Sequence, residues 1–334
     1  MIIRNLYIVL LLTLATVALL YVGIHVGTFH TNFATLVQIF QHYDVESAEQ
    51  LAIVELRLPR MLMALLAGGS LALSGYLLQV LINNPLTDAY TLGTASGASL
   101  GINIAYLGIV PLAFSGIYVP VLAAFLGALT VTALVITIAL RSGGSVAQLL
   151  LAGVAISALA NACISMLSYM SDSDGKMRNI IFWTLGSFEN ARWEYIPWVA
   201  IALLSSILLF VVLQKHLFVL MLGVNRAQHL GLKIGVLRWT ILLVATFLTA
   251  ITVAFSGTIG FVGLIVPHVI RSWAGANGKY NALWVSWVGG LLLLACDVLS
   301  RVIYPPAGLP IGIITSFAGI PFFVYLLLQK KYSF

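Results

Sequence analysis

The chain has 334 residues, of which 61% are hydrophobic and 8% charged, with 16 Lys and Arg against 10 Asp and Glu. Soluble domains carry about 25% charged residues, so a soluble fold of this composition would lack the polar surface to cover itself. The composition excludes a soluble enzyme or binding module and reads as a polytopic membrane protein.

A helix needs about 20 apolar residues to cross the hydrocarbon core of a bilayer. In chain order, such runs fall near 6–24, 58–81, 91–108, 113–140, 147–170, 193–213, 239–256, 261–272, 281–298 and 309–328. The eighth is short and Gly-rich. Ten spans predict an all-α membrane protein, one transmembrane domain over 1–334. Met1-Ile2-Ile3-Arg4 leads into an apolar run without a small-residue cleavage site, so the first span is expected to be retained. Small residues let helix backbones approach closely in membranes. Gly68, Gly69, Ala72 and Gly75 predict one such face in the second span. Cys163 and Cys296 lie in apolar runs and read as small buried hydrophobes.

Lys and Arg favour cytoplasmic loops. With the N-terminus inside, Arg4, Arg141, Lys215, Arg226, Lys233, Arg238, Arg271, Lys279, Lys330 and Lys331 fall inside, and both termini are cytoplasmic. Arg57, Arg60, Lys176, Arg178, Arg192 and Arg301 fall outside. The loop holding Lys176, Arg178 and Arg192 also carries Asp172, Asp174, Glu189 and Glu194, so it is near neutral. Arg57, Arg60 and Arg301 have two readings. They snorkel from helix ends, or they form a cationic ring that docks an acidic partner. Asp297 stands one helical turn before Arg301, the spacing of an i,i+4 ion pair.

Ion-coupled transporters place ionisable groups within the membrane, and these spans hold almost none. No Ser/His/Asp set, metal-ligand cluster or Gly-x-x-x-x-Gly-Lys-Ser/Thr phosphate loop is present, so the chain neither catalyses hydrolysis nor hydrolyses ATP itself. His25, His30 and His42 are isolated and read as solvated or capping groups. His268, after Pro267, reads as a helix-end group. The inner loop 214–238 contains glycines flanking helix-compatible residues, 223–235. It reads either as a short helix lying on the inner face or as a solvated loop.

Four blocks carry a family resemblance. They are Arg57-Leu58-Pro59-Arg60 through Gly75 to Asn84-Pro85-Leu86; Leu92-Gly93 with Ser96-Gly97-Ala98-Ser99-Leu100-Gly101; Gly257-Thr258-Ile259-Gly260-Phe261-Val262-Gly263-Leu264-Ile265-Val266-Pro267-His268 with Arg271; and Leu309-Pro310-Ile311-Gly312 with Gly319-Ile320-Pro321-Phe322-Phe323. In this order and spacing the chain resembles the FecCD/BtuC-type permeases of binding-protein-dependent ABC importers, which carry ferric siderophores, haem or cobalamin.

The resemblance implies a ten-helix subunit paired with a second permease subunit, identical or homologous, around a translocation path. It also implies two copies of a cytoplasmic ABC ATPase below and an extracytoplasmic binding protein above, in a bacterial cytoplasmic membrane. Membrane lipid surrounds the chain and nucleic acid is no expected partner. The chain needs no cofactor of its own, since ATP and Mg belong to the ATPase. By position, Arg57, Arg60 and Arg301 are implied to dock the binding protein. Arg226, His229, Leu230 and Gly231 are implied to couple to the ATPase. Asn84 and Leu86, with Ser145 and Ala147, are implied to form a cytoplasmic gate, although Asn84-Pro85 also reads as a plain turn. Val224-Asn225 replaces the acid usual after the first coupling-loop glycine. Asp88-Ala89-Tyr90 and Gly257-Thr258-Ile259-Gly260 each lack a proline usual for the family. A ferric siderophore is the first expected cargo; haem, cobalamin and an oxyanion such as molybdate are the others.

Overall fold

The computed structural model describes residues 2–27, 33–41, 43–44, 46–108, 118–170, 174–221, 223–275, 280–305 and 308–328. His30, His42, Asp172 and the Lys330-Lys331 pair lie outside the described residues. All regular structure among those described is helical: α1 (Ile2–His25), α2 (Phe33–Gln41), α3 (Ala48–Leu51) running through a π-helical segment (Ala52–Arg57) into α4 (Leu58–Ile82), α5 (Thr94–Leu107), α6 (Tyr118–Arg141), α7 (Val146–Tyr169), α8 (Asp174–Thr184), α9 (Ile196–Met221), α10 (Val224–His229), α11 (Ile234–Ser256), α12 (Val262–Ala274), α13 (Asn281–Ile303) and α14 (Ile311–Leu328).

Among the described residues, seven stretches are long and apolar enough to cross a membrane: 6–25, 48–82, 118–141, 146–169, 196–221, 234–256 and 281–303. The helices at 94–107, 262–274 and 311–328 are shorter. At 1.5 Å per residue the 14 residues of α5 span about 21 Å, less than the ~30 Å core. The sequence-derived spans near 193–213 and 239–256 were cut short. The helices run on to Met221 and back to Ile234. Lys215, His216 and Arg238 lie within these helices, because long basic side chains on a helix reach sideways to the interface without ending it.

The bundle is built around α4, which is buried along nearly its whole length and is packed by α9, α11, α12 and α13. Its small-residue face makes this possible. A Cβ on Gly68 would fall on the carbonyl of Gly289 in α13, and one on Gly75 would fall on the backbone of Gly263 in α12. Close backbone contact supplies the dispersion energy that apolar burial cannot provide among lipid tails. The indole Nε1 of Trp287 donates to Thr16 Oγ1 at 2.9 Å and fixes α1 to α13. The outer faces of α7 and α9 stay apolar and exposed, with Leu151, Val154, Leu204 and Leu208 among them.

His268 is not a helix-end group. It lies inside α12 and meets Phe322 of α14 edge-on at 5.7 Å. Pro267 does not stop this helix, because neighbouring groups satisfy the backbone it frees.

Candidate functional site

Four features bring together the residues singled out above. The first is a charged cluster where α4 begins. Arg60 Nε donates to Asp297 Oδ1 at 2.6 Å, and Arg301 Nη2 pairs with Asp297 Oδ2 at 2.9 Å. Arg301 Nη1 also donates to the carbonyls of Gly23 (2.8 Å) and Val26 (3.3 Å), and Arg57 Nη1 donates to that of Ile24. The last carbonyls of α1 have no partner within the helix, and the two arginines supply one, on the terminus where the helix dipole favours cations. The i,i+4 pair of Asp297 with Arg301 is present. The arginines neither ring an open surface nor snorkel, however. Arg57, Arg60 and Arg301 are only 7%, 8% and 7% exposed, and Asp297 is fully buried. Helix packing turned them inward, because α1 and α13 close over the start of α4.

His25 Nδ1 donates to Tyr21 O at 2.8 Å, so it caps the same helix end. Among the described residues, no group of three or more His, Cys, Asp or Glu gathers that could hold a metal. Cys163 is half-buried and Cys296 buried, both as free thiols.

The second feature lies at the other end of α4. Asn83 takes a left-handed conformation (φ 54°) and closes the helix, a conformation that Asn tolerates better than most residues. Asn84 Oδ1 then accepts the amide of Leu86 at 2.9 Å, and the Thr87 amide reaches Asn84 O at 3.3 Å. This is an Asx-type turn of a kind that Asn favours. Ser145 and Ala147 lie at the start of α7. Ser145 caps α7 in a reciprocal capping box with Gln148, and Ala147 is exposed in the first turn. Leu81 and Ile82 of α4 line a cavity of about 300 Å³ together with Gly143, Gly144, Ser145 and Val146. Of the four gate candidates, Ser145 lines this cavity, beside the last residues of α4.

The third feature is a polar clamp that holds the Asn84 turn, and the sequence reading missed it. Gln79, fully buried, donates from Nε2 to Thr87 O and to Gly263 O, both at 3.0 Å. Its Oε1 accepts from Arg271 Nη2. Asp88 accepts the amides of Ala89 (2.7 Å) and Phe261. Tyr90 Oη donates to Ile259 O at 3.0 Å and accepts the Ile259 amide at 2.9 Å. One signal could have exposed Gln79. Proline has no N–H, so Pro267 leaves the carbonyl four residues earlier, Gly263 O, without its helical donor. A polar side chain had to come from elsewhere.

The fourth feature is α10, the short helix on the inner loop. Ala227 is fully buried and anchors it, while Arg226, His229 and Leu230 face outward, Leu230 with 67% of its surface exposed. Gly231 (φ 80°) ends it in a conformation that favours glycine. The Trp193 indole bonds Val54 O at 2.9 Å, which puts the start of α9 beside the start of α4. The far end of α9, and α10 with it, therefore lies at the Asn84 end of the bundle.

A multi-pass helical bundle with a pinned charge cluster at one end, and a turn and an exposed surface helix at the other, has the build of a membrane permease. The FecCD transport family profile matches residues 13–329. The hemin transport system permease protein HmuU of Yersinia pestis is 36% identical over 283 residues, 83% of each chain. The molybdate import system permease protein MolB of Haemophilus influenzae is 34% identical over 328 residues, 96% of this chain and 95% of that one. A solved structure of a metal-chelate type ABC transporter in an inward-facing conformation superposes with a TM-score of 0.84 at 32% identity, over 97% of this chain and 99% of that one. The chain belongs to the FecCD transport family and is a permease subunit of an ABC importer, a multi-pass membrane protein.

Proposed function

We propose that the chain is the ten-span membrane subunit of a binding-protein-dependent importer in a bacterial cytoplasmic membrane, with both termini cytoplasmic. It pairs with a second permease subunit to enclose the path of an iron complex, a ferric siderophore first. Two copies of a cytoplasmic ATPase bind at the α10 end and carry the ATP and Mg; the chain itself needs no cofactor. The observation that carries this reading is agreement along the whole chain, the family match over 13–329 and the likeness to a metal-chelate type transporter over 97% of it. HmuU belongs to a hemin transport system, and the relatives also include a vitamin B12 permease, BtuC of Serratia proteamaculans, and the molybdate permease. A path that must release its cargo would have weak walls, and specificity would then rest on the binding protein.

ATP binding on the partner would move α10 and, through α9 and α11, swap which gate is open, a rigid-body form of alternating access. Asn84 and Leu86, with Ser145 and Ala147, form the cytoplasmic gate in this reading. The binding protein docks at the Arg57–Arg60–Arg301 end. There its acidic groups would meet guanidiniums already engaged by Asp297 and by α1 carbonyls, so docking would use only the edge of the cluster left to solvent.

An exposed leucine flanked by Arg226 and His229 suits an interface better than water. Leu230→Asp should weaken co-purification of the partner ATPase about tenfold, the scale of one interface anchor, while the chain keeps its melting temperature. ATPase recovery equal to wild type would remove α10 from the coupling role.

A further inference from the structure

We propose that Gln79 is a positioning residue for the gate, joining the Asn84–Leu86 turn to α12 as one unit. The inference rests on the importer reading for its transport readout and on geometry alone for the rest.

Three facts converge on one side chain. Gly263 O lacks a helical donor because residue 267 is proline. Thr87 O belongs to the backbone immediately after the gate turn, whose own hydrogen bonds are all local. Arg271 lies one helical turn beyond Pro267 on the same face of α12. Gln79 answers all three, giving one amide proton to each carbonyl and accepting from the guanidinium.

Only a primary amide carries two donors and an acceptor at one tip. Glutamate keeps the acceptor and loses both donors. Methionine keeps the length and loses everything. Asparagine is one methylene too short to reach the same partners. The glycine at 263 is part of the device, since a Cβ there would lie 2.7 Å from Asp88 Oδ1. With Asp88 bound to the Phe261 amide and Tyr90 to Ile259, residues 83–90 and 259–271 are bridged at three points. Gln79 bridges on the gate side of Asp88, through Thr87 O. Movement of α12 therefore carries the turn with it.

The test separates positioning from simple backbone satisfaction. Pro267→Ala returns an N–H to α12 and gives Gly263 O its own donor. Three full-length variants, Gln79→Met, Pro267→Ala and the double variant, would be purified with the partner ATPase. Amide hydrogen exchange over residues 83–90, melting temperature and ATP-driven uptake would be read on each. In Gln79→Met, exchange over 83–90 should rise about tenfold, the effect of one lost hydrogen bond, with uptake falling by a similar factor and the melting temperature lowered. In the double variant the melting temperature should recover while exchange stays fast and uptake stays low. Should Gln79→Met not fold, the double variant supplies the exchange comparison by itself. Recovery of slow exchange and uptake together in the double variant would overturn the proposal, leaving Gln79 only to satisfy Gly263 O. Unchanged exchange in Gln79→Met would overturn it also. Absence of ATP-driven uptake in the wild-type complex would instead count against the importer reading, and the exchange data would still decide the role of Gln79.

Discussion

Asp297→Leu should prevent the chain from accumulating as a folded protein. The carboxylate is fully buried and is shared by Arg60 and Arg301. Without it, two guanidiniums face each other in the interior with no counter-charge between them. Removing one partner of a buried ion pair typically costs about 3–5 kcal/mol, because the remaining charge is left desolvated. Stabilities of folded domains lie near 5–15 kcal/mol, so the loss consumes a large share. It also loosens α1, whose last carbonyls are held by Arg301 and Arg57. Asp297→Asn should be milder, since the amide still accepts a hydrogen bond but supplies no charge. Detergent-solubilised yield and thermal unfolding check both. A Leu variant that melts within about 2 °C of wild type would show that the cluster contributes little.

Gly75→Val should damage the molecule at its centre. The added side chain would meet the Gly263 backbone, which cannot rotate away as a flexible side chain could. Overpacking a well-packed core costs about 1–3 kcal/mol and more when backbone must move. Here α12 must separate from α4, which pulls Gly263 O off Gln79 as well. Gly68→Val should have a similar effect through Gly289. Gly235→Ala is the control: nothing lies within 4 Å of the position its Cβ would take, and it sits in the first turn of α11. It should be neutral or stabilising by up to ~1 kcal/mol. Folded yield after extraction measures the contrast. Equal yields for Gly75→Val and Gly235→Ala would refute the tight crossing.

Much of this architecture was legible because the membrane forces backbone polar groups into helices and makes each helix a long apolar run. Every predicted span overlaps a helix among α1, α4, α5, α6, α7, α9, α11, α12, α13 and α14, though among the described residues only seven stretches are long and apolar enough to cross a membrane. The short helices α2, α3 and α8 escaped, since they lie in connecting segments with no long apolar run. The small face of α4 was legible from Gly68, Gly69, Ala72 and Gly75 alone. The charge cluster was legible only in part. The i,i+4 spacing gave Asp297 with Arg301, but Arg60 joins from 237 residues away and only packing brings it there. Its burial was beyond the sequence for the same reason, because the covering helices α1 and α13 are distant in the chain. Gln79 was invisible as a lone polar residue in an apolar run. Two of its partners are main-chain carbonyls and the third, Arg271, is 192 residues away in the chain, so only the proline at 267 hinted at the need for such a donor.

In the proposed function the chain moves its cargo at the expense of ATP hydrolysed on another subunit. The direct measurement is uptake into proteoliposomes holding the chain, its partner ATPase and its binding protein, with ferric siderophore, haem, cobalamin and molybdate offered in turn. The account predicts accumulation of one of these, an iron complex first, that stops when ATP is withheld and when the ATPase is omitted. Accumulation that persists without the ATPase and follows an imposed ion gradient would contradict it.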